Sequence, residues 1–380
     1  MAVATTKAGP YYSSGQIKFS DLRRDFRAQQ RKTTSGGSET FSTDTAAIKA
    51  SDLRRNVSTT STNPIVPDAL ENNNISSSTN WKVSQFRNSI KYYYITQSGT
   101  NTNFDMDNLA WNGNLARNIN KFLFIDGTCG STSTSSSAAE FAATAYNLTI
   151  DVYGDIFGAG GRGGGTSGAP AISGESGGNA LSVSSSGGNN VVVFVRSTAR
   201  IYGGGGGGEK GANGSGGSSG TCTSPECIHQ YCAGSPNNSC MGCGGNFQYT
   251  RRPGCCKSTM RGGCVESVYQ SICRSTQSSS TPSGGAGGNG GNGVGYTQSR
   301  SDGIGGGAGS CPSCPDGWSL SGGNCSGSGE TGGNGGDWGD AGGNTGNSGS
   351  GGNAGRAISG SNYSVSGTIN GSTIQGLYNP

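Results

Sequence analysis

Apolar residues in this chain come in short, strand-length bursts, not in long helical periods. Phe122-Leu123-Phe124-Ile125 reads as a buried strand at the end of an apolar stretch that begins at Leu115. From Tyr146 to Phe157 the pattern alternates. Leu148, Ile150 and Val152 share one face, Gly154 turns the chain, and Ile156 and Phe157 follow. This unit repeats. Ile150-Asp151-Val152 and Ile156-Phe157-Gly158 are echoed by Val193-Phe194-Val195 and Ile201-Tyr202-Gly203, an offset of 43 to 45 residues. A looser copy comprises Tyr363, Val365, Ile369 and Ile374. Strand, turn, strand, glycine run is the predicted unit, with the strands stacked as rungs or as sandwich layers.

The first hundred residues carry a different repeat. Ile17-Lys18-Phe19-Ser20-Asp21-Leu22-Arg23-Arg24 returns as Ile48-Lys49-Ala50-Ser51-Asp52-Leu53-Arg54-Arg55, and more weakly as Trp81-Lys82-Val83-Ser84-Gln85-Phe86-Arg87-Asn88. Ser20, Ser51 and Ser84 read as N-caps of short helices, each after an extended segment. Ile17, Phe19, Leu22, Ile48, Leu53, Val83 and Phe86 are the candidate partner-docking residues. Polar linkers separate the copies, as in a peptide that decorates three equivalent subunits of another protein. Three small helices in one weak core is the competing reading, and both stay open here.

Glycine changes the picture. Of 73 glycines, 8 fall in residues 1–150 and 65 in residues 151–380, and many recur every third residue. Gly205, Gly208, Gly211, Gly214, Gly217 and Gly220 share one frame, as do Gly284, Gly287, Gly290 and Gly293. Three residues per turn is the period of an extended polyproline-II-type helix, which makes no internal hydrogen bonds and must bond its neighbours when buried. Glycine alone lets such helices meet backbone to backbone. The prediction is a bundle of polyglycine-II helices. Collagen fits poorly, because the 11 prolines lie almost entirely outside the glycine runs. Disorder is the bland alternative, since ordering costs about 1–2 kcal/mol per residue. Alternation with apolar strand segments argues for order.

The fold class is therefore mainly β and irregular: short N-terminal docking helices, then strand units with a polyglycine-II bundle and disulfide-rich loops. The expected divisions are an attachment region at 1–100, a small β-rich connecting domain at 101–157 and a glycine-rich domain at 158–380 with cysteine-rich insertions at 221–283 and 311–325. Only 30% of residues are hydrophobic and 13% charged, too little apolar material for a large enzyme core. Net charge is +4, with no dense basic run, so neither nucleic acid nor membrane insertion is expected. His229 is the sole histidine, lying in a polar loop without a frame for catalysis. Gly203–Gly208 leads into Glu209-Lys210-Gly211 with no helix behind it, so a phosphate loop is rejected. No catalytic residues, and no enzyme, are expected.

Thirteen cysteines remain. Cys129 stands apart, and Cys222, Cys227, Cys232, Cys240, Cys243, Cys255, Cys256, Cys264, Cys273, Cys311, Cys314 and Cys325 are the disulfide candidates, an even dozen. Cys240-x-x-Cys243 and Cys311-x-x-Cys314 have knuckle spacing, so a structural zinc is the alternative, but the cluster lacks a regular paired pattern. No cofactor is expected otherwise. Tyr231, Phe247, Tyr249, Arg251, Arg252, Tyr269 and Trp318 in the irregular segments, and Trp338 alone in glycine, are the candidate receptor-binding residues. Rings that cap the bundle ends as small satellite cores are the competing reading for each.

Together, Ile201-Tyr202-Gly203 to Gly220, Gly284 to Gly293 and Gly332 to Gly355 resemble the tip adhesins of T-even-like phage long tail fibres. Gly15-Gln16-Ile17-Lys18-Phe19-Ser20-Asp21-Leu22-Arg23 is similar to the openings of small phage tail proteins. The resemblance implies a sandwich of polyglycine-II helices that presents receptor-binding loops. It implies a virion tail protein docked by residues 1–100 on a trimeric fibre or baseplate component, with a glycan or outer-membrane protein as host receptor. A decoration, collar or connector protein without host contact is the alternative. A cysteine-rich chain without a visible secretory signal also fits assembly in the host cytoplasm and release at lysis. The tandem docking repeat and the cysteine clusters depart from the family pattern.

Overall fold

Parallel pairing at recurring offsets stacks the strands into coils with three faces. The chain is seen in a computed structural model that describes residues 2–8, 16, 29–31, 40–42, 53, 55, 66–78, 80, 82–90, 92–167, 169–185, 191–224, 227–231, 269–273 and 276–378. For residues 2–8, 29–31, 40–42, 227–231 and 269–273 only the backbone is described. On the first face Tyr92–Ser98, Asn120–Ile125, Leu148–Val152, Val191–Val195 and Tyr363–Gly367 lie side by side, all parallel. The second face carries Thr100–Thr102, Thr128–Gly130, Asp155–Phe157, Arg200–Tyr202 and Ile374–Gln375. Phe104–Asp105, Ala139–Phe141, Leu181–Ser184 and Ile358–Ser361 form the third. The result is a parallel β-helix. Its sheets run on through residues 100 and 157, the divisions expected from composition. Ala2–Ala8 adds one antiparallel strand beside Tyr92–Ser98.

The rung reading of the repeat is the one observed. Ile150 faces Val193, Ile156 faces Ile201, Val365 faces Val193 and Ile374 faces Ile201. Ile369, read as part of the same unit, lies outside the strands and is 40% exposed. Period-two alternation turns one residue in two inward, so Ile95, Leu123, Ile150 and Val193 stack as a fully buried row. Cys129, Ile156 and Ile201 make another. Burial pushes the Cys129 thiol up to about 12, which leaves it an inert core residue. On the outer side Arg196 grips Asp151 with two hydrogen bonds of 2.7 and 2.6 Å. Its guanidinium also lies over the rings of Tyr153 and Phe194. Arg200 grips Asp155 in the same two-point way, because both partners advance together along the repeat.

One inward position carries a charge. Lys121 stands in register between Tyr93 and Leu148 and is fully buried. Its Nζ donates to the carbonyls of Arg117, Ile119 and Tyr146 at 2.7, 2.9 and 2.7 Å, one acceptor for each ammonium proton. Burial lowers its pKa to about 7.

Below the first coil the helices are shorter than expected. Leu70–Asn72 and Val83–Phe86 are single 3-10 turns. Ser84 lies inside the second turn and does not cap it. Lys82 holds the N-cap position, and its amide donates to Gln85 Oε1 at 2.7 Å. Leu53 and Phe86 are fully buried within this chain, as are Val66 and Ile75, so neither Leu53 nor Phe86 offers a surface to a partner. Ile17, Phe19, Leu22, Ile48, Ser20 and Ser51 lie outside the described residues.

Two compact units emerge: residues 1–210, 289–304 and 332–380 form the first, and residues 211–288 and 305–331 the second. Two glycine-rich excursions, at 158–180 and 203–357, leave the coil between its second and third faces, and the second of them contains the second unit. The run Gly203–Gly208 is wholly buried. It bonds to six other glycine-rich segments, mostly at steps of three, and through the Gly203 amide to the Gln375 carbonyl of the second face. Gly205 and Gly208 donate to Val294 and Gly291, while Gly204 and Gly207 donate to Gly178 and Glu175. Gly161 and Gly164 donate to the carbonyls of Gly205 and Gly208; Gly336 and Gly339 to those of Gly206 and Gly203; Gly352 and Gly355 to those of Gly207 and Gly204. Gly206 reaches the sixth segment, at Asp340. A Cβ anywhere along this run would collide with neighbouring backbone. Runs with fewer neighbours carry side chains, such as Arg162, Glu175 and Asn334, at the spare positions. The lattice also seats against the coil: Tyr296 lies flat where Gly130 has no side chain, and its amide donates to the Gly158 carbonyl at 3.0 Å.

Two outcomes are expected. Gly207→Ala, whose methyl would strike the Arg162 carbonyl, should lower stability by roughly 3 kcal/mol or more in denaturant melts. Gly305→Ala, with nothing within 4 Å, should stay within about 0.5 kcal/mol of the parent. Lys121 binds fewer protons folded than unfolded between its lowered pKa of about 7 and its ordinary 10.5. Its contribution to stability should therefore rise with pH across that window. Thermal melts of the parent minus those of Lys121→Met should show that rise, and the variant should be less stable throughout because three carbonyls lose their donor.

Candidate receptor-binding surface

The second unit is where the irregular, cysteine-rich sequence is held. Its base is glycine. Gly211, Gly214 and Gly217 donate to the carbonyls of Gly288, Gly285 and Pro282, an antiparallel pairing at steps of three. The segment from 305 joins on: Gly307 donates to Ala286, Gly329 to Gly307, and Glu330 to Ala212. Thr221–Thr223 then becomes the middle strand of a small antiparallel sheet, flanked by Thr276–Ser278 and Ser319–Ser321. Two disulfides fasten it. Cys222 bonds Cys314 across 92 residues, and Cys311 bonds Cys325 across 14. Closing loops of these lengths is worth about 3–5 kcal/mol each on chain-entropy grounds.

From this sheet the chain runs on into a two-stranded ribbon, Cys227–Tyr231 against Tyr269–Cys273. The register sets Cys227 opposite Cys273 and Tyr231 opposite Tyr269. Two of the candidate receptor-binding residues are thus brought to facing positions at the end of the ribbon that leads into 232–268. Phe247, Tyr249, Arg251 and Arg252 lie in that interval, outside the described residues, as do Cys232, Cys240, Cys243, Cys255, Cys256 and Cys264. Trp318 ends a turn in which its amide donates to the Pro315 carbonyl at 3.0 Å, and its ring is half-buried. Leu320 beside it is 43% exposed. Among the described residues, no group of three or more His, Cys, Asp or Glu side chains is placed to hold a metal.

Trp338 is not part of the second unit. It belongs to the first unit, where its ring stacks on Phe157 at 5.1 Å and tilts against Tyr202 at 5.9 Å. The three rings close the point where glycine runs leave the second face of the coil, so Trp338 acts as a satellite core.

Residues 91–309 match the family described as phage tail fibre adhesin Gp38, more than half of the chain. The chain belongs to this family. It is a virion tail-fibre protein, a receptor-binding adhesin of the phage tail. Among solved structures it is similar to the gp37–gp38 adhesin tip complex of the bacteriophage S16 long tail fibre, at 19% identity and a TM-score of 0.34, covering 80% of this chain and 88% of that one. No curated protein matches.

An adhesin needs its loops held still, and one residue that does so escaped the sequence reading. That residue is Glu209, which follows the run Gly203–Gly208. In the first unit its carboxylate is fully buried and accepts the amides of Thr345 at 2.7 Å and Gly349 at 2.9 Å. The Lys210 carbonyl accepts Thr345 Oγ1 and Asn347 Nδ2, at 3.1 and 3.2 Å. Glu209 thereby fixes the turn at 344–350, which joins two glycine runs. A lone acidic residue after glycines carries no local signal of this, because its partners lie more than 130 positions away. Glu209→Ala should cost about 2–4 kcal/mol, the loss of two charge-assisted bonds with amides left unpaired. Hydrogen exchange at Thr345 and Gly349 should accelerate while the β-helix stays protected.

Proposed function

We propose that this adhesin grips its host through the cysteine-tied segments at 221–283 and 311–325, with glycine runs as their rigid mount. Family membership carries the adhesin role. The ribbon and small sheet support its assignment to these segments, because their backbone sets Tyr231 opposite Tyr269 and two disulfides fasten the segment that holds Trp318. Phe247, Tyr249, Arg251 and Arg252 complete the proposed contact set. The glycine runs are polyglycine-II helices in this reading, supported by hydrogen bonds at steps of three and by contacts with no room for a Cβ. The protein works by binding and not by catalysis, and the remaining cysteines pair as disulfides. Its receptor is a host-surface glycan or outer-membrane protein.

Attachment falls to the N-terminal hundred residues. Ile17, Phe19, Leu22, Ile48 and Val83 dock on another tail protein, a trimeric fibre or baseplate component, during assembly in the host cytoplasm. The solved gp37–gp38 complex illustrates a tail adhesin with a fibre partner. Leu53 and Phe86, buried in this chain, are left out of the docking set.

Replacing residues 233–267 by a short Gly-Ser turn in the full chain should abolish adsorption to host cells, and the purified variant should no longer block infection by the parent phage. A variant that keeps its β-helix hydrogen-exchange pattern and still adsorbs as the parent does would overturn the assignment.

A further inference from the structure

Cysteine is segregated in this molecule. The first unit contains Cys129 alone, buried and unbonded. The other twelve all belong to the second unit. The β-helix of the first unit has a continuous apolar core. In the second unit, among the described residues, the buried apolar side chains are Cys222, itself half of a disulfide, and the small rings of Pro282 and Pro312. Leu320, opposite Cys222 in the small sheet, stays 43% exposed. Covalent bonds thus stand where a core would be.

Their connectivity has a purpose. Cys311 and Cys314 share one short segment but bond in different directions. Cys314 ties the segment to the middle strand at Cys222, and Cys311 ties it to the returning chain at Cys325. Three stretches of chain, one of them 92 residues away, are fastened through one C-x-x-C segment. The backbone bonds that accompany them, such as Ser280 to Ser313 at 3.2 Å and half-buried Ser326 to Ser310 at 2.8 Å, involve exposed residues on at least one side. Such bonds compete with water and open locally with little resistance.

We propose that Cys222, Cys311, Cys314 and Cys325 are positioning residues of the adhesin, and that oxidation of these thiols is what makes the chain competent to bind. With free thiols the glycine base persists, but the small sheet and the 311–325 loop lose their fixed arrangement. Each bond forms by exchange with a low-molecular-weight disulfide of the oxidised-glutathione class. One cysteine thiolate attacks that disulfide and expels a thiol, and the second cysteine displaces the mixed disulfide and expels another. Both cysteine hydrogens end on the two released thiols, so the cysteines are oxidised and the reagent is reduced. This inference rests on the functional reading above for its adsorption arm and not for its structural arm.

The test uses the full chain in three states: oxidised, reduced with a phosphine, and reoxidised with oxidised glutathione. Two paired variants accompany it, Cys222→Ser with Cys314→Ser and Cys311→Ser with Cys325→Ser. Hydrogen exchange should rise at least tenfold at Ser218, Ser313, Asn324 and Ser326 on reduction and recover on reoxidation. Leu123, Ile150 and Val193 should not change in either state, which also checks that the variants fold. Each paired variant should show the raised exchange whatever its redox state. Host-cell adsorption should fall on reduction and return on reoxidation. Equal exchange in oxidised and reduced protein would overturn the proposal, as would a reduced protein that adsorbs like the oxidised one. An oxidised protein that never adsorbs would instead sink the functional reading, and the exchange data would still decide this one.

Discussion

Everything in this chain depends on one backbone group meeting another with no side chain between them. In the run Gly203–Gly208 each amide and carbonyl has a partner on a neighbouring segment close by, and no methyl fits anywhere along it. Such contact gives little apolar burial. Cohesion comes from satisfied hydrogen bonds in a dry interior, where an unsatisfied one costs about 1–3 kcal/mol. The density of glycine along a run therefore tracks how many neighbours surround it. Six glycines in succession mark the segment with six glycine-rich neighbours, and mixed triplets mark the rim.

The same constraint governs the buried charges. A glycine lattice and a narrow coil offer few side chains as partners, so ionised groups are met by backbone. Lys121 is held by three carbonyls and Glu209 by two amides, each at a place where the chain reverses. Both groups organise loops through main-chain atoms, whatever the sequence of the loop. Where the coil does have side-chain surface, charge is handled in pairs, as in Arg196 with Asp151 and Arg200 with Asp155.

The strand pairs, their offset and the glycine frames were legible in the sequence because their signals are local and recur. The third face was not. Its strands, Phe104–Asp105 and Ala139–Phe141 among them, are too short to show alternation, and long excursions separate the later ones. The 3-10 turn Val83–Phe86 looks like a capped helix in the sequence because Ser84 suits an N-cap, but the chain enters the turn two residues earlier. Lys121 sits in a strand that would ordinarily place a lysine outward. Trp338 looked solitary in glycine, because Phe157 and Tyr202, the rings it meets, are remote in sequence. Cys222 and Cys314 were correctly held as disulfide candidates, but spacing alone could not pair them.

The long excursion between Arg200–Tyr202 and Ile358–Ser361 carries a kinetic consequence. These strands belong to consecutive faces of one coil, yet more than 150 residues must be synthesised between them. Val193 waits for Val365, and Ile201 for Ile374. Pairings this distant in sequence are slow to form, and exposed strand edges invite misassembly while they wait. The glycine runs cannot complete their set of neighbours earlier either, since Gly204 and Gly207 await Gly355 and Gly352. Folding of this adhesin is thus a late event, closed only once residues 352–375 have been made.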